Sequence, residues 1–210
     1  MRKFHIGVAA IAGAMVLSVA AVHAQGGPPP APPAPSTNPA DVAAGTYTID
    51  PNHSQVMFTY THFGLTHNMG LLSGATGSLT IDPKSPAATK LSVDVPINTM
   101  HSTIEALDKE FQEPMFFDAA KFPTAHFEST AVSVSGNSAQ ISGNLTIHGV
   151  TKPAVINATY TGMGSNPMSK KTTLGFQGTA TIKRSDFGLG LAVPMVSDQV
   201  DLVITAGFEK

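Results

Sequence analysis

His53-Ser54-Gln55-Val56-Met57-Phe58-Thr59-Tyr60-Thr61-His62 puts Val56, Phe58, Tyr60 and His62 on one parity and mostly glutamine and threonine on the other. A repeat of two is the period of a strand, so the segment predicts a strand with one apolar and one wet face. The pattern recurs at residues 90–97, where Leu91, Val93, Val95 and Ile97 oppose Ser92 and Asp94, and again at 140–147, 155–160, 174–182 and 200–208. Turn residues separate these runs at Asp82-Pro83, Ser135-Gly136-Asn137, His148-Gly149 and residues 162–167. Only residues 103–112 read as helix, with Ile104, Leu107 and Phe111 at helical spacing and Ser102 or Thr103 as the cap.

Strands with one apolar face must bury it, either in a sandwich of two sheets or in a sheet closed on itself. Regular hairpins with few long crossovers favour the second. The expected fold is all-β: an antiparallel barrel of about eight strands with one short helix. At that size the interior is either filled by side chains or just wide enough for one slender ligand. The small residues Gly70, Ala75, Gly77, Gly143, Gly178 and Ala180 fall on inward parity. They either leave room inside or relieve strain at bends and bulges of a curved sheet.

Ahead of the alternating region, Arg2 and Lys3 precede an uncharged apolar stretch over residues 6–22, and Val22-His23-Ala24 offers small residues to a peptidase. Residues 1–24 are expected to be a signal peptide, cleaved after Ala24. The alternative, a retained anchor, is weakened by the richness of the stretch in alanine and glycine. Residues 25–44, with Pro28-Pro29-Pro30, Pro32-Pro33 and Pro35, read as an extended, semi-rigid spacer. Residues 45–210 then form one domain, and the expected location is periplasmic or secreted. There is no cysteine, hence no disulfide framework and no thiol chemistry. Without the leader ten basic residues face fourteen acidic ones, a net charge of −4 with histidine neutral. That balance argues against nucleic acid or an anionic membrane surface as the main partner.

Catalytic signatures are missing from the sequence: there is no G-x-S-x-G elbow and no phosphate-cradling loop followed by lysine. Glu110, Glu113 and Asp118 cluster only around the helix end, where solvated capping charges account for them. Six histidines follow the leader, at positions 53, 62, 67, 101, 126 and 148, with no i, i+2 pair to start a metal site. His53 and His148 are expected to be hydrogen-bonded structural residues near strand ends. The expected reading is a binding module, with neither a catalytic residue nor a metal site.

Several motifs in order resemble the YceI family of bacterial periplasmic polyisoprenoid-binding proteins. Tyr47-Thr48-Ile49-Asp50 with His53-Ser54, Val56 and Phe58 looks like the family's opening, followed by His62, Gly70, Leu72, Gly77, Leu79 and Asp82. Phe116-Phe117-Asp118, Phe122-Pro123, Phe127 and Ser129 match its FFD…FP…F-x-S stretch. Residues 143–153, Gly-Asn-Leu-Thr-Ile-His-Gly-Val-Thr-Lys-Pro, are close to its most recognisable motif. Residues 184–189 and 196–200 match its closing strands.

The resemblance implies a lipocalin-like antiparallel barrel whose elongated apolar pore takes up a long-chain isoprenoid or other amphiphilic lipid, such as a polyprenyl phosphate or a respiratory quinone, as a bound ligand with no covalent cofactor. Inward parity names the candidate lining: Val56, Phe58, Tyr60, Leu72, Leu79, Leu91, Val93, Val95, Phe127, Leu145, Ile147, Phe176 and Ile182. Each is either a pore residue or an ordinary core position. His62 is expected at the pore beside Tyr60, placed to bond a carbonyl headgroup. Before the FFD stretch the chain carries Leu107-Asp108 and Glu110-Phe111 where the family commonly has Arg-Asp and His-Leu pairs, and Met115 replaces an acidic residue. A less basic mouth points to a neutral headgroup. Transient contact with a membrane or a membrane cytochrome, pairing of two barrels, a quinone-linked redox or stress role, and a structural surface role with a filled core stand as the further readings.

Overall fold

The structure, a computed structural model, describes residues 33–210; the leader and the first part of the proline-rich segment lie outside the described residues. The alternating runs become ten antiparallel strands among the described residues: β1 Gly45–Ile49, β2 Gln55–His62, β3 Thr66–Leu72, β4 Thr76–Ile81, β5 Lys90–Pro96, β6 Thr124–Ser135, β7 Ser138–Ile147, β8 Val150–Ser165, β9 Thr172–Lys183 and β10 Gln199–Glu209. They amount to eight staves. β1 and β2 lie end to end along β10, β1 through Thr48↔Glu209 and Ile49↔Phe208, β2 through residues 55–59 opposite 201–205. Their antiparallel partners β4 and β3 form the next stave, and β5 to β10 follow in order until β10 returns to β1. The result is a closed eight-strand barrel in which β3 pairs on one side only, with β2, and meets the 97–123 connection on the other through the Leu71–His101 bridge.

The break between β1 and β2 is built by the polar residues Asp50, Asn52, His53 and Ser54. Asp50 Oδ1 accepts from the Asn52 amide at 2.9 Å, and Asp50 Oδ2 meets His53 Nδ1 at 2.6 Å. Ser54 is buried, and its hydroxyl accepts from the Gly207 amide at 3.1 Å while the Asp50 amide donates to the Gly207 carbonyl at 2.8 Å. Burial pushes the Asp50 carboxyl up, but the bonds from His53 and Asn52 outweigh it and hold it below its ordinary value. Bulges between Ser129 and Ala131 and between Tyr160 and Gly162 add curvature.

Antiparallel connectivity sorts the connections to two ends. The lower end carries residues 82–89, 136–137 and 166–171; the upper end carries 63–65, 97–123, 148–149 and 184–198. Residues 36–44, expected to belong to a spacer, are instead packed across the lower end. Ser36 pairs with Met163 through two 2.8 Å backbone bonds, Tyr47 Oη donates to the Ala43 carbonyl at 2.7 Å, and Val42 is buried with Tyr47, Tyr160, Leu174 and Phe208. Burial pushes the Tyr47 hydroxyl up.

At the upper end the helix α1, Glu105–Gln112, starts later than the sequence predicts. Ile104 has extended backbone and is exposed, because the residues before the helix are held by a longer-range device. Asp108 Oδ1 accepts from the Ser102 amide at 2.6 Å and from its hydroxyl at 2.7 Å, and Asp108 Oδ2 meets His101 Nδ1 at 2.6 Å. His101 in turn bridges Leu71 of β3. Leu107 and Phe111 point the other way, into a cluster with Phe58, Leu72, Ile97 and Met100. One carboxylate thus ties α1 over the upper end.

Two inward glycines do not leave room. A Cβ on Gly70 would overlap the ring of Phe58, its cross-strand partner, and one on Gly143 would overlap the ring of Phe127. The space they vacate is occupied by aromatic side chains; Ala75, Gly178 and Ala180, by contrast, border open volume. Gly70→Ala is expected to cost about 1–3 kcal/mol by overpacking. Adding Phe58→Leu should recover part of that loss in a denaturant-melt double-mutant cycle, and strictly additive losses would contradict the contact.

Hydrogen bonds from Ser102, then His101, hold the Asp108 carboxyl below its ordinary value of 3.8. A depressed carboxyl stabilises above its unfolded value and ceases to as pH falls through the folded one. Acid hydrogen exchange should therefore show residues 102–112 losing protection below pH 3.8 before the strands do. Asp108→Asn should show the same loss already at neutral pH.

Candidate functional site

The barrel interior holds two adjoining cavities whose walls share Leu72, Ile182 and Leu202. The lower, of about 220 Å³, receives side chains from every stave. Its polar neighbours are Ser54, Gln55, Gln177 and Thr205. Ser54 is bonded to Gly207, and the other three are exposed on outward parity. The wall is therefore aliphatic and aromatic, and an apolar void of this kind stays dry.

Ten of the residues expected on parity line this lower cavity: Val56, Leu72, Leu79, Leu91, Val93, Val95, Phe127, Leu145, Phe176 and Ile182. Phe58, Tyr60 and His62 line the upper cavity instead. Ile147 borders neither; it is buried next to the upper turn, an ordinary core position. Parity selects a face but not a height along the strand, which is why Ile147, at the very end of β7, falls outside.

The upper cavity, of about 370 Å³, lies beneath α1 and the segment after it, with Leu107, Phe111, Phe116 and Phe117 as its roof. The Phe111 ring stands edge-on to Phe58, Phe116 and Phe117 at 6.1–6.2 Å between centroids. Here polar groups converge: Tyr60, His62, Asn68, Glu110 and Arg184. Arg184 begins the β9–β10 connection and donates from Nε to the Ser197 carbonyl at 2.8 Å, from Nη2 to that of Val196 at 2.9 Å, and from Nη1 to that of Leu189. Burial pulls the guanidinium down from its ordinary value, opposed by the charge of Asp198. Asp198 itself accepts from the Ser185 amide and hydroxyl at 2.9 and 2.8 Å, which hold its carboxyl low. The loop 184–198 is thus shaped around one inward cation.

Sequence reasoning missed Arg184 as a wall residue, together with Ile141, Ile156, Leu202, Ile204 and Phe208. The five apolar residues follow from extending the same parity through β7, β8 and β10. Arg184 stands out in the sequence only through the motif at 184–189, since Lys183 beside it carries the same charge.

The remaining histidines lie apart from one another. His53 pairs with Asp50, His101 with Asp108, and His126 with Asp94 at 2.9 Å, while His148 Nδ1 lies 3.4 Å from the Phe187 carbonyl. His126 Nε2 also lies 3.5 Å from Glu128. His67 is exposed on β3, and the His62 ring rests 4.2 Å from that of Phe63. Among the described residues no three His, Cys, Asp or Glu side chains are grouped to hold a metal.

With this geometry in view, known proteins offer direct comparison. The profile of the YceI-like domain family matches residues 47–208. A UPF0312 protein of Pseudomonas aeruginosa is 37% identical over 164 residues, 77% of this chain and 85% of that protein. The Campylobacter jejuni YCEI protein superposes with a TM-score of 0.62 at 26% identity, over 71% of this chain and 89% of its own. A polyisoprenoid binding domain from Saccharophagus degradans, implicated in plant cell wall breakdown, shares the fold with a TM-score of 0.57 at 14% identity, over 78% of this chain and 97% of its own. A closed barrel, a broken first stave and a family profile spanning nearly all of it lead to one assignment: the chain belongs to the YceI-like domain family.

Proposed function

We propose that the barrel binds one isoprenoid-type lipid and carries or sequesters it outside the cytoplasm, the tail in the lower cavity and the head in the upper. The observation that carries this reading is the aliphatic lower cavity of about 220 Å³. Left empty, such a void costs on the order of 5 kcal/mol at about 24 cal/mol per Å³. An apolar chain recovers that cost and gains roughly 25 cal/mol for each Å² it removes from water. The polyisoprenoid binding of the Saccharophagus degradans domain supports the same class of ligand. The leader at residues 1–24 supports export.

The upper cavity favours a neutral head with a carbonyl, such as a quinone, over a diphosphate. Three donors of Arg184 are already committed to backbone carbonyls, and the Glu110 carboxylate shares the wall. Tyr60, His62 and Asn68 remain to bond the head. Binding proceeds by burial and a few hydrogen bonds, which calls for no catalytic group.

Native mass spectrometry of the protein as recovered from cells, followed by organic extraction, should release a stoichiometric long-chain isoprenoid. A mass that stays unchanged after incubation with quinones and polyprenols would sink the reading, and recovery of diphosphate lipids alone would overturn the neutral head. Ala180→Phe, which fills the lower cavity from its wall, should weaken isoprenoid affinity roughly tenfold or more, since the buried tail area is lost. Its melting temperature should hold, and unchanged affinity would mean that the tail does not enter there.

A further inference from the structure

Large apolar side chains are exposed at the tips of three separate upper connections. Phe63 and Leu65, in the β2–β3 turn, are 58% and 84% exposed; Met115, after α1, is 73% exposed; and Met195, in the β9–β10 connection, is 55% exposed, with Leu191 and Val193 beside it. At the lower end, among the described residues, Met168 is the one large apolar side chain exposed in a connection. The upper tips are not independent. The Phe63 amide donates to the Met195 carbonyl at 2.6 Å, and His62 bridges Val196, so two of the loops are fastened together. Met115 and Leu191 also line the upper cavity, which makes the exposed rim continuous with the interior wall.

The charge pattern names the occupant of this rim. Residues 63–65 are Phe-Gly-Leu, and residues 188–196 contain no charged side chain. Of the charges around this run, Arg184 is turned onto carbonyls and Asp198 onto Ser185, and the exposed Lys183 and Asp186, which precede it, carry opposite signs. Glu110 and Glu113 flank the Met115 side of the rim, so an anionic surface is disfavoured there. Uncharged, protruding Phe, Leu and Met side chains suit the boundary between headgroups and acyl chains, where apolar area drives insertion. We infer that the upper rim is a bilayer-docking surface: Phe63, Leu65, Leu191, Val193 and Met195 enter the interface of an electrically neutral membrane and place the cavity mouth against the acyl chains. This rests on the carrier reading for its purpose, because a tail passing through a docked mouth avoids water throughout. Docking itself needs no cargo.

The chain has no tryptophan, so a single introduced indole reports its own surroundings. Leu65→Trp and Met168→Trp, each in the full protein as recovered from cells, are mixed with vesicles of neutral phosphatidylcholine, plain or brominated in the acyl chain. The Leu65→Trp reporter should shift to the blue and be quenched by the brominated lipid, insensitive to salt, while the Met168→Trp reporter does neither. Leu65→Ser combined with Met195→Ser should partition onto these vesicles roughly tenfold or more weakly, yet still take up a prenol dispersed in water. The proposal is overturned if the Leu65→Trp emission ignores vesicles or if both reporters respond alike. It is equally overturned if the response requires anionic lipid and vanishes in salt, or if emission shifts with protein concentration alone, which would assign the rim to a second copy. Insertion without any isoprenoid in the cavity would uphold docking and defeat the cargo reading; cargo without insertion would do the reverse.

Discussion

Closing an antiparallel sheet requires its last strand to meet its first in a register where inner and outer faces agree, since a slip of one residue turns every side chain over. Here β10 meets a first stave broken in two, and the break is where that agreement is enforced. Ser54 is buried over Gly207, giving and taking backbone bonds that a continuous strand would have used for itself. Asp50 gathers the Asn52 amide and the His53 ring into a turn that consumes the residues between β1 and β2. With the register set at both halves of β10, Val56, Phe58, Leu202, Ile204 and Phe208 all face inward.

That inward face is unevenly filled, and the unevenness is the origin of the cavities. Near the lower end, Tyr47, Tyr160, Leu174 and Phe208 pack with Val42 and close the barrel. Toward the middle the staves contribute Ala75, Ala154, Ala158, Gly178 and Ala180, which are too short to meet across the barrel. Above them α1 and its phenylalanines roof a wider chamber. Glycine plays two opposite parts: Gly178 borders the void, whereas Gly70 and Gly143 admit aromatic rings that consume it.

The period of two made the strands legible, and with them the class of fold and the faces of Val56, Leu79, Val93 and Phe176. What it could not carry was position along a stave. Phe58, Tyr60 and His62 share a parity with Val56 but belong to a different chamber, and Ile147 belongs to none. Residues 36–44 read as a spacer because proline and alanine dominate the segment around them; their attachment depends on Ser36 meeting Met163, more than a hundred positions away, for which local sequence holds no sign. Ile104 matched the spacing of a helix, yet the Ser102 to Asp108 bonds hold its backbone extended. Arg184 was visible only as part of a motif, since its role lies in carbonyls of a loop whose shape is tertiary.

The seam between β1 and β10 joins Thr48 to Glu209, the two ends of the domain. A contact of that sequence separation pays its loop-closure entropy late and is among the slowest to form. Until it does, the staves are an open, curved sheet with two unpaired edges and an apolar face turned to solvent, which is the form in which such chains associate wrongly. The interior volume does not exist before that moment. Folding and the making of a compartment are therefore the same event, and an apolar molecule that reaches the face early would be enclosed by the final strand rather than admitted through a finished doorway.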